Sequence, residues 1–142
     1  MPADLLTHVL RQADRTLVLS HRLAEWLTHA PELEEDMALA NISLDLLGQA
    51  RHLYTYAGKL EGRGHDEDHF AYDRDAADFR NPLIVEQPNG DFAVTMARQV
   101  LHDHAALLYW ESMRSSTDET LAALAARAVN ETRFHLRHST GW

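Results

Sequence analysis

Ten histidines among 142 residues are the feature of this sequence that most suggests metal chemistry. Glu131, His135 and His138 lie within about 60° of one another on a helix, because successive residues are turned by roughly 100°. Asp45 and Gln49 occupy the polar face of an earlier helical stretch. A carboxylate with two imidazoles on one helix face could form part of a metal site.

A di-metal carboxylate centre in a helical bundle requires more than these residues. It needs a Glu from each of two helices and a Glu-x-x-His pair from each of the other two. The only acid-x-x-His match is Asp66 with His69, in a polar turn between helices, and Thr132 stands three residues before His135. The sequence therefore predicts no metal, cofactor or catalytic site in this chain.

Four polar side chains are expected to bond to one another between two helices, since buried polar groups seek hydrogen-bonding partners. We call them the polar cluster: Asp45, Gln49, Glu131 and His135. An alternative is an independent metalloprotein in which His138 joins Glu131, His135 and Asp45 as a ligand. A third possibility is a helical dimerisation module, with contacts between copies of the chain.

The remaining histidines offer no convergent ligand set. His102 and His104 flank Asp103, and neighbouring helical residues point to different faces, so they are predicted to be non-ligands. Four others are scattered and are predicted to lie at the surface or at helix edges: His8, His21, His29 and His52. The absence of cysteine excludes disulfides and thiolate chemistry.

The composition is that of one globular domain covering residues 1–142, with 45% apolar and 25% charged residues. A formal net charge of -9 opposes binding to phosphate backbones, so no nucleic-acid partner is expected. No apolar run approaches the length of about 18 residues that a membrane span needs. The first residues do not resemble a secretory signal, and a cytoplasmic location is expected.

Apolar periodicity predicts four helices and no strands. The first runs from about Asp4 to Thr28, and the second begins after Pro31 and ends near Leu60. The third runs from about Asp91 to Met113. The fourth opens at Ser116, which has Glu119 at the spacing of a capping box. Two helical hairpins joined by a long connection indicate an all-α, ferritin-like four-helix bundle with a crossover between its second and third helices.

The apolar residues of two helices predict their buried faces. The second helix carries two stripes, which indicates packing against several neighbours. One stripe is Leu33, Met37, Ala40, Leu44, Leu47 and Tyr54, and the other is Leu39, Ile42, Leu46, Ala50, Leu53, Ala57 and Leu60. The apolar side of the third helix is predicted to be Phe92, Met96, Val100, Leu101, Ala105 and Leu108.

The connection from His65 to Gly90 is too long to be an ordinary loop of a compact domain. Residues 65–69 read as a charged, exposed turn, and the segment from Asp78 to Asp91 is predicted to be ordered. Five of its residues are expected to dock it against a partner or a neighbouring helix: Asn81, Glu86, Gln87, Asn89 and Gly90.

Three segments resemble one known family. They are Asn41–Arg51 (Asn-Ile-Ser-Leu-Asp-Leu-Leu-Gly-Gln-Ala-Arg), Leu83–Ala93 (Leu-Ile-Val-Glu-Gln-Pro-Asn-Gly-Asp-Phe-Ala) and Arg133–Trp142 (Arg-Phe-His-Leu-Arg with Ser139 and Gly-Trp). Together they closely resemble the C subunits of bacterial phenylacetyl-CoA monooxygenases, the ring 1,2-epoxidases of aerobic phenylacetate degradation. The likeness extends from roughly Leu10 to Trp142.

The resemblance implies a structural subunit with a ferritin-like fold. In that family a separate A subunit holds the di-iron site and the acyl-CoA, and a reductase supplies electrons from NADPH through flavin and an iron–sulfur cluster. The catalytic relative has a block resembling Asp-Glu-Leu-Gly-His, where this chain has Asp45-Leu46-Leu47-Gly48-Gln49. Leu46 cannot ligate a metal, and Gln49 is a poor replacement for an imidazole. Family members are considerably longer, so the chain is expected to correspond to their N-terminal portion.

Overall fold

Four long helices account for most of the chain. The computed structural model describes residues 2–142. The long helices are α1 (Pro2–Ala24), α2 (Leu33–Glu61), α4 (Phe92–Met113) and α5 (Glu119–Gly141), and a short α3 (Glu67–Tyr72) precedes two 3-10 turns at Ala76–Asp78 and Leu83–Glu86. No strand occurs within these residues, and the prediction of an all-helical chain is confirmed.

The long helices form two hairpins. In the first, Ser43 Oγ of α2 donates to the Ser20 carbonyl of α1 at 2.8 Å. The second joins α4 to α5, where Ser139 Oγ donates to Asp103 Oδ2 at 3.0 Å. Further along α2, Tyr54 contacts Asp14, which lies earlier in α1 than Ser20. In the same way Arg133, which precedes Ser139 in α5, contacts Glu111, which follows Asp103 in α4. Each pair of helices is therefore antiparallel.

Side-chain contacts also join the two hairpins. Arg15 of α1 contacts His102 of α4 at 2.8 Å. Gln49 of α2 donates to Glu131 of α5 at 3.0 Å. Since α1 is antiparallel to both α2 and α4, these last two helices point the same way, and residues 62–91 must return along the length of the helices to connect them.

The interior contains two apolar clusters. One includes Leu53, Tyr54, Phe70, Trp110 and Leu121, and the other includes Leu19, Leu23, Leu39, Val85 and Met96. Burial of such side chains supplies most of the favourable free energy of folding. Several ionisable residues are buried as well: Asp14, Arg15, Arg98, His102, Asp103 and His135.

Of the two apolar stripes of α2, one is buried and the other is largely exposed. The stripe that runs from Leu39 to Ala57 lies in the core, as predicted. The prediction for the other stripe was wrong at Leu33, Met37 and Leu44, which are 70%, 58% and 64% exposed, and right at Tyr54, which is buried. Their helix packs on α1 and α5 through its other face, and nothing among residues 2–142 covers this one.

The buried face of α4 also differs from the prediction. Phe92 and Met96 are buried, but Leu101 and Leu108 are 66% and 69% exposed. The buried positions in the middle of this helix are polar: Arg98, Gln99, His102 and Asp103. These groups find hydrogen-bond partners inside the chain, and an unpaired buried polar group would cost more than an exposed leucine.

Helix ends were predicted less accurately than helix centres. The first helix ends at Ala24 rather than at Thr28, which has a positive φ of 69°. The N-cap of α5 is Asp118, whose carboxylate accepts from the Leu121 N–H at 2.9 Å, and Ser116 Oγ accepts only from the Asp118 N–H. The predicted capping box from Ser116 was therefore wrong, because the charged Asp118 carboxylate takes the cap position that favours an anion.

The connection between α2 and α4 contains a short helix and two 3-10 turns and is bonded to α1. The predicted exposed turn at residues 65–69 is instead the start of α3, capped by Asp66, which accepts from the His69 N–H at 3.1 Å. After α3, the fully buried carboxylate of Asp14 in α1 holds the chain. It accepts hydrogen bonds from Tyr54, from the Arg74 guanidinium and from the Arg80 N–H.

Replacing Asp14 by alanine tests this anchor. We expect a loss of about 3–5 kcal/mol in the free energy of unfolding, because the largely buried Arg74 charge and two further donors lose their acceptor. Urea denaturation of Asp14→Ala would measure the loss. Asp73→Ala serves as the control, because its carboxylate is 68% exposed and its pair with His69 spans 3.7 Å. Equal stability of the two variants would contradict the anchoring role of Asp14.

Candidate functional site

The structure brings the four residues of the polar cluster together as two pairs between α2 and α5. Gln49 Nε2 donates to Glu131 Oε1 at 3.0 Å, and His135 Nε2 donates to Asp45 Oδ2 at 2.8 Å. Gln49 and His135 are buried, whereas the Asp45 side chain is 37% exposed. Each carboxylate is thus engaged by a side chain of the opposite helix.

His138 lies one turn further along α5 and has a different partner. Its Nε2 donates to Glu35 Oε2 at 2.7 Å, close to the start of α2. Glu131, His135 and His138 therefore bond to three different residues of α2. Across residues 2–142, no group of three or more His, Asp or Glu side chains has the arrangement needed to hold a metal ion.

A small open pocket of about 100 Å³ lies over the polar cluster. Its other walls come from Leu44, Gly48, His52, Leu124 and Arg127. Gln49 Oε1 is buried without a hydrogen-bond partner in the chain. The pocket has room for water molecules, which commonly bond to such an oxygen. Because both carboxylates are already paired, this geometry is that of a structural contact between helices.

A second polar network, which the sequence analysis missed, connects α1, α4 and α5. Arg15 donates to His102 Nε2 at 2.8 Å, and His102 Nδ1 donates to Asp103 Oδ1 at 3.0 Å. Ser139 Oγ donates to the other oxygen of Asp103. The only sequence signal is position: His102 and Asp103 lie three to four residues from Gln99 and from Ala106, on the same helix face.

The charges of this network follow from its hydrogen bonds. Since Arg15 donates to Nε2, His102 must be neutral there, with its proton on Nδ1. Burial lowers the pKa of His102, although the hydrogen bond to Asp103 opposes the shift. Burial also lowers the pKa of Arg15 to about 10, so Arg15 stays charged at neutral pH.

The segment from Asp78 to Asp91 docks against helices of its own chain. Asn89 Nδ2 donates to the Arg22 carbonyl at 2.9 Å, and Arg98 donates to Asn89 Oδ1 at 2.7 Å. The Glu86 carbonyl accepts from the Arg22 guanidinium at 2.9 Å. The segment is therefore bonded to both α1 and α4, with the buried Val85 beneath it.

The other predicted docking residues stay within the segment. Asn81 Nδ2 donates to the Glu86 carboxylate at 3.1 Å, and Gln87 Nε2 donates to the Leu83 carbonyl at 3.2 Å. Gly90 has a φ of 61°, which favours glycine. A Cβ at this position would also lie 3.0 Å from the Val94 side chain. These residues shape the segment rather than present free polar groups.

Comparison with known proteins identifies the family. Residues 2–142 match the family described as phenylacetic acid catabolic protein. The chain belongs to this family. It is 54% identical, over 139 residues, to a protein of Escherichia coli (strain K12) named as the C subunit of 1,2-phenylacetyl-CoA epoxidase. The match covers 98% of the chain and 56% of that relative, so the chain spans about half the length of the curated protein.

The family assignment confirms the resemblance found in the sequence. The three segments that carry it lie on α2, on the end of the connection and on the last turns of α5. Within the described part of the chain, no helix is both long enough and apolar enough to cross a membrane.

The polar cluster makes a testable contribution to stability. We expect Glu131→Ala to lower the free energy of unfolding by about 1–3 kcal/mol, because the buried Gln49 amide then loses its only acceptor. Denaturant unfolding measures the loss. In the double variant Gln49→Leu with Glu131→Ala the buried amide is gone, so part of the stability should return. If the double variant lost as much free energy of unfolding as Gln49→Leu and Glu131→Ala lose separately when added together, Gln49 and Glu131 would not be coupled.

The Arg15–His102–Asp103 network predicts a pH dependence. A histidine whose pKa is lowered in the folded state stabilises the protein fully above its unfolded pKa of about 6.5, and this stabilisation is lost as the pH falls below it. The free energy of unfolding should therefore decrease on acidification by up to about 1.4 kcal/mol per pH unit from this group. His102→Gln should flatten the profile between pH 7.5 and 5, since a glutamine accepts and donates at the same two positions without titrating. His104→Gln, on the exposed face of α4, is the matched control and should leave the profile unchanged.

Proposed function

We propose that this chain is a non-catalytic structural subunit of a multicomponent di-iron oxygenase that epoxidises the ring of phenylacetyl-CoA in aerobic phenylacetate catabolism. The observation that supports this proposal most directly is the hydrogen bond between Gln49 of α2 and Glu131 of α5. In the catalytic relatives that the chain resembles, an imidazole stands where this chain has Gln49, and a carboxylate stands where it has Leu46. Here Leu46 is buried in the apolar core, and the Gln49 amide donates a hydrogen bond to the Glu131 carboxylate.

The directions of the helices support a ferritin-like four-helix bundle. In such a bundle two antiparallel hairpins are joined by one long crossover between parallel helices. The parallel course of α2 and α4, with residues 62–91 between them, fits this topology. A bundle of this type holds its metal ligands on facing helices, which is where the polar cluster lies.

The partners follow from the same proposal. A ferritin-like A subunit would hold the di-iron site and bind the acyl-CoA, and a reductase would supply electrons from NADPH through flavin and an iron–sulfur cluster. The chain itself would hold no cofactor. It would act in the cytoplasm, without nucleic acid or membrane, as a scaffold for the catalytic subunit.

Co-expression with the catalytic subunit tests the proposal. We expect the two chains to purify together, with iron in proportion to the catalytic subunit alone. Substitution of Glu131 by alanine in this chain should leave turnover per assembled complex within about twofold of the unsubstituted complex. Circular dichroism should first establish that this variant is folded.

Two results would overturn this assignment. Two irons per copy of this chain, purified by itself, would favour an independent metalloprotein. A large loss of turnover in a folded, assembled Glu131→Ala complex would place this chain in the chemistry.

A further inference from the structure

The outer face of α4 has the composition of a buried face. Val94, Leu101 and Leu108 are 52%, 66% and 69% exposed, and Ala97 and Ala105 lie exposed between them. No Asp, Glu, Lys or Arg is exposed between Asp91 and Glu111, and His104 is the one polar side chain on this face. A surface helix normally carries charged residues on its outer side. This face is suited to being covered.

The helix cannot bury this face by turning about its axis. Its opposite face holds Arg98, His102 and Asp103, which bond to the connection, to α1 and to α5. Rotation would break these buried hydrogen bonds and would leave charged groups exposed or buried without a partner. The exposed position of Leu101 is therefore fixed by the interior of the chain.

The five apolar side chains are arranged symmetrically about Leu101. Val94 and Leu108 lie seven residues before and after it, and Ala97 and Ala105 lie four residues before and after it. When two copies of one helix pack antiparallel about a two-fold axis through Leu101, Leu101 meets Leu101 and Val94 meets Leu108. Each Ala97 then faces an Ala105, and the small residues allow the helices to approach closely.

We propose that α4 pairs with α4 of a second copy of this chain, antiparallel, with the two-fold axis passing through Leu101. A two-fold interface uses the same patch on both copies and must be complementary to itself. The symmetric spacing meets this requirement, and the seven-residue steps are those of a seam between packed helices. Steps of three and four residues occur on any packed helix face, so it is the order of large and small side chains on both sides of Leu101 that favours a second copy.

The charges balance at each end of the proposed pair of helices. Asp91 of one copy would lie near Glu111 of the other, and Glu111 is already paired with Arg133 at 3.3 Å. Arg114, one residue past the end of α4, is exposed at the same end. Asp91 and Glu111 would repel each other, and the guanidinium groups of Arg133 and Arg114 at the same end would offset that repulsion. The antiparallel helix dipoles also attract each other.

The interface is small. One pair of helices buries less than the roughly 800 Å² per partner of a standard stable interface. We therefore expect a dimer that dissociates on dilution. This inference does not rest on the proposed role in an oxygenase, because it concerns the purified chain alone.

Sedimentation equilibrium over a range of concentrations tests the surface. We expect the unsubstituted chain to form dimers and Leu101→Glu to weaken the association at least tenfold, since two carboxylates would meet at the axis. Leu44→Glu is the matched control, with a leucine of nearly equal exposure on α2. Thermal unfolding should show that both variants are folded. A monomer at every concentration, or equal weakening by the two substitutions, would overturn the proposal.

Single cysteines test the direction of pairing, because residues 2–142 contain no native cysteine. Under mild oxidation Leu101→Cys should form a disulfide dimer, and Leu108→Cys alone should not. An equimolar mixture of Val94→Cys and Leu108→Cys should form mixed dimers, since these positions face each other across the axis. Self-linkage of Leu108→Cys would indicate parallel helices and overturn the proposed geometry.

The same variants distinguish a second copy from another subunit. If the purified chain stays monomeric while Leu101→Glu abolishes binding to the catalytic oxygenase subunit, the α4 face belongs to that subunit and the dimer is wrong. If the unsubstituted chain fails to bind that subunit but dimerises through Leu101, the proposed function fails and the dimer stands.

Discussion

The arrangement of this chain depends on hydrogen bonds made by carboxylates in its interior. Asp103 has one oxygen bonded to His102 and the other to Ser139, and His102 in turn accepts from Arg15. Burying an ionised group costs a large free energy unless hydrogen bonds and opposite charges compensate for the lost hydration. This requirement turns the polar side of α4 inward, fixes the positions of α1 and α5 relative to it, and leaves leucines on the outside.

The polar cluster between α2 and α5 shows how a helical interior can contain acids and imidazoles without presenting a ligand set. Each carboxylate of the polar cluster accepts a hydrogen bond from a side chain of the opposite helix. The chain also belongs to the phenylacetic acid catabolic protein family, and a relative that it matches over about half of that relative's length is named as an epoxidase subunit. The proposed scaffolding role combines these two observations, since a subunit of this kind needs a stable interior and outer faces that other chains can cover.

The sequence predicted the helices well because apolar periodicity is a local property. It also predicted which residues of the polar cluster would be neighbours, since facing helices bring Gln49 near Glu131. It failed for the buried face of α4, because Arg15, which donates to the buried His102, lies 87 residues earlier in the chain. Hydropathy alone ranks Leu101 above His102 for burial. The cap of α5 failed for a similar reason: Ser116 and Asp118, two positions apart, could each serve, and the tertiary contact of Asp118 with Tyr56 favours Asp118.

The contacts of Asp14 have a consequence for the order of folding. The carboxylate bonds to Tyr54, 40 residues away, and to Arg74 and Arg80, 60 and 66 residues away. Closing a long loop costs more chain entropy than closing a short one, so local hairpins form before distant contacts do. The hairpin of α1 and α2 can close through residues 25–32 and place Asp14 beside Tyr54. We then expect the connection to dock onto an acceptor that is already in place, with α1 as the template for the segment that leads to α4.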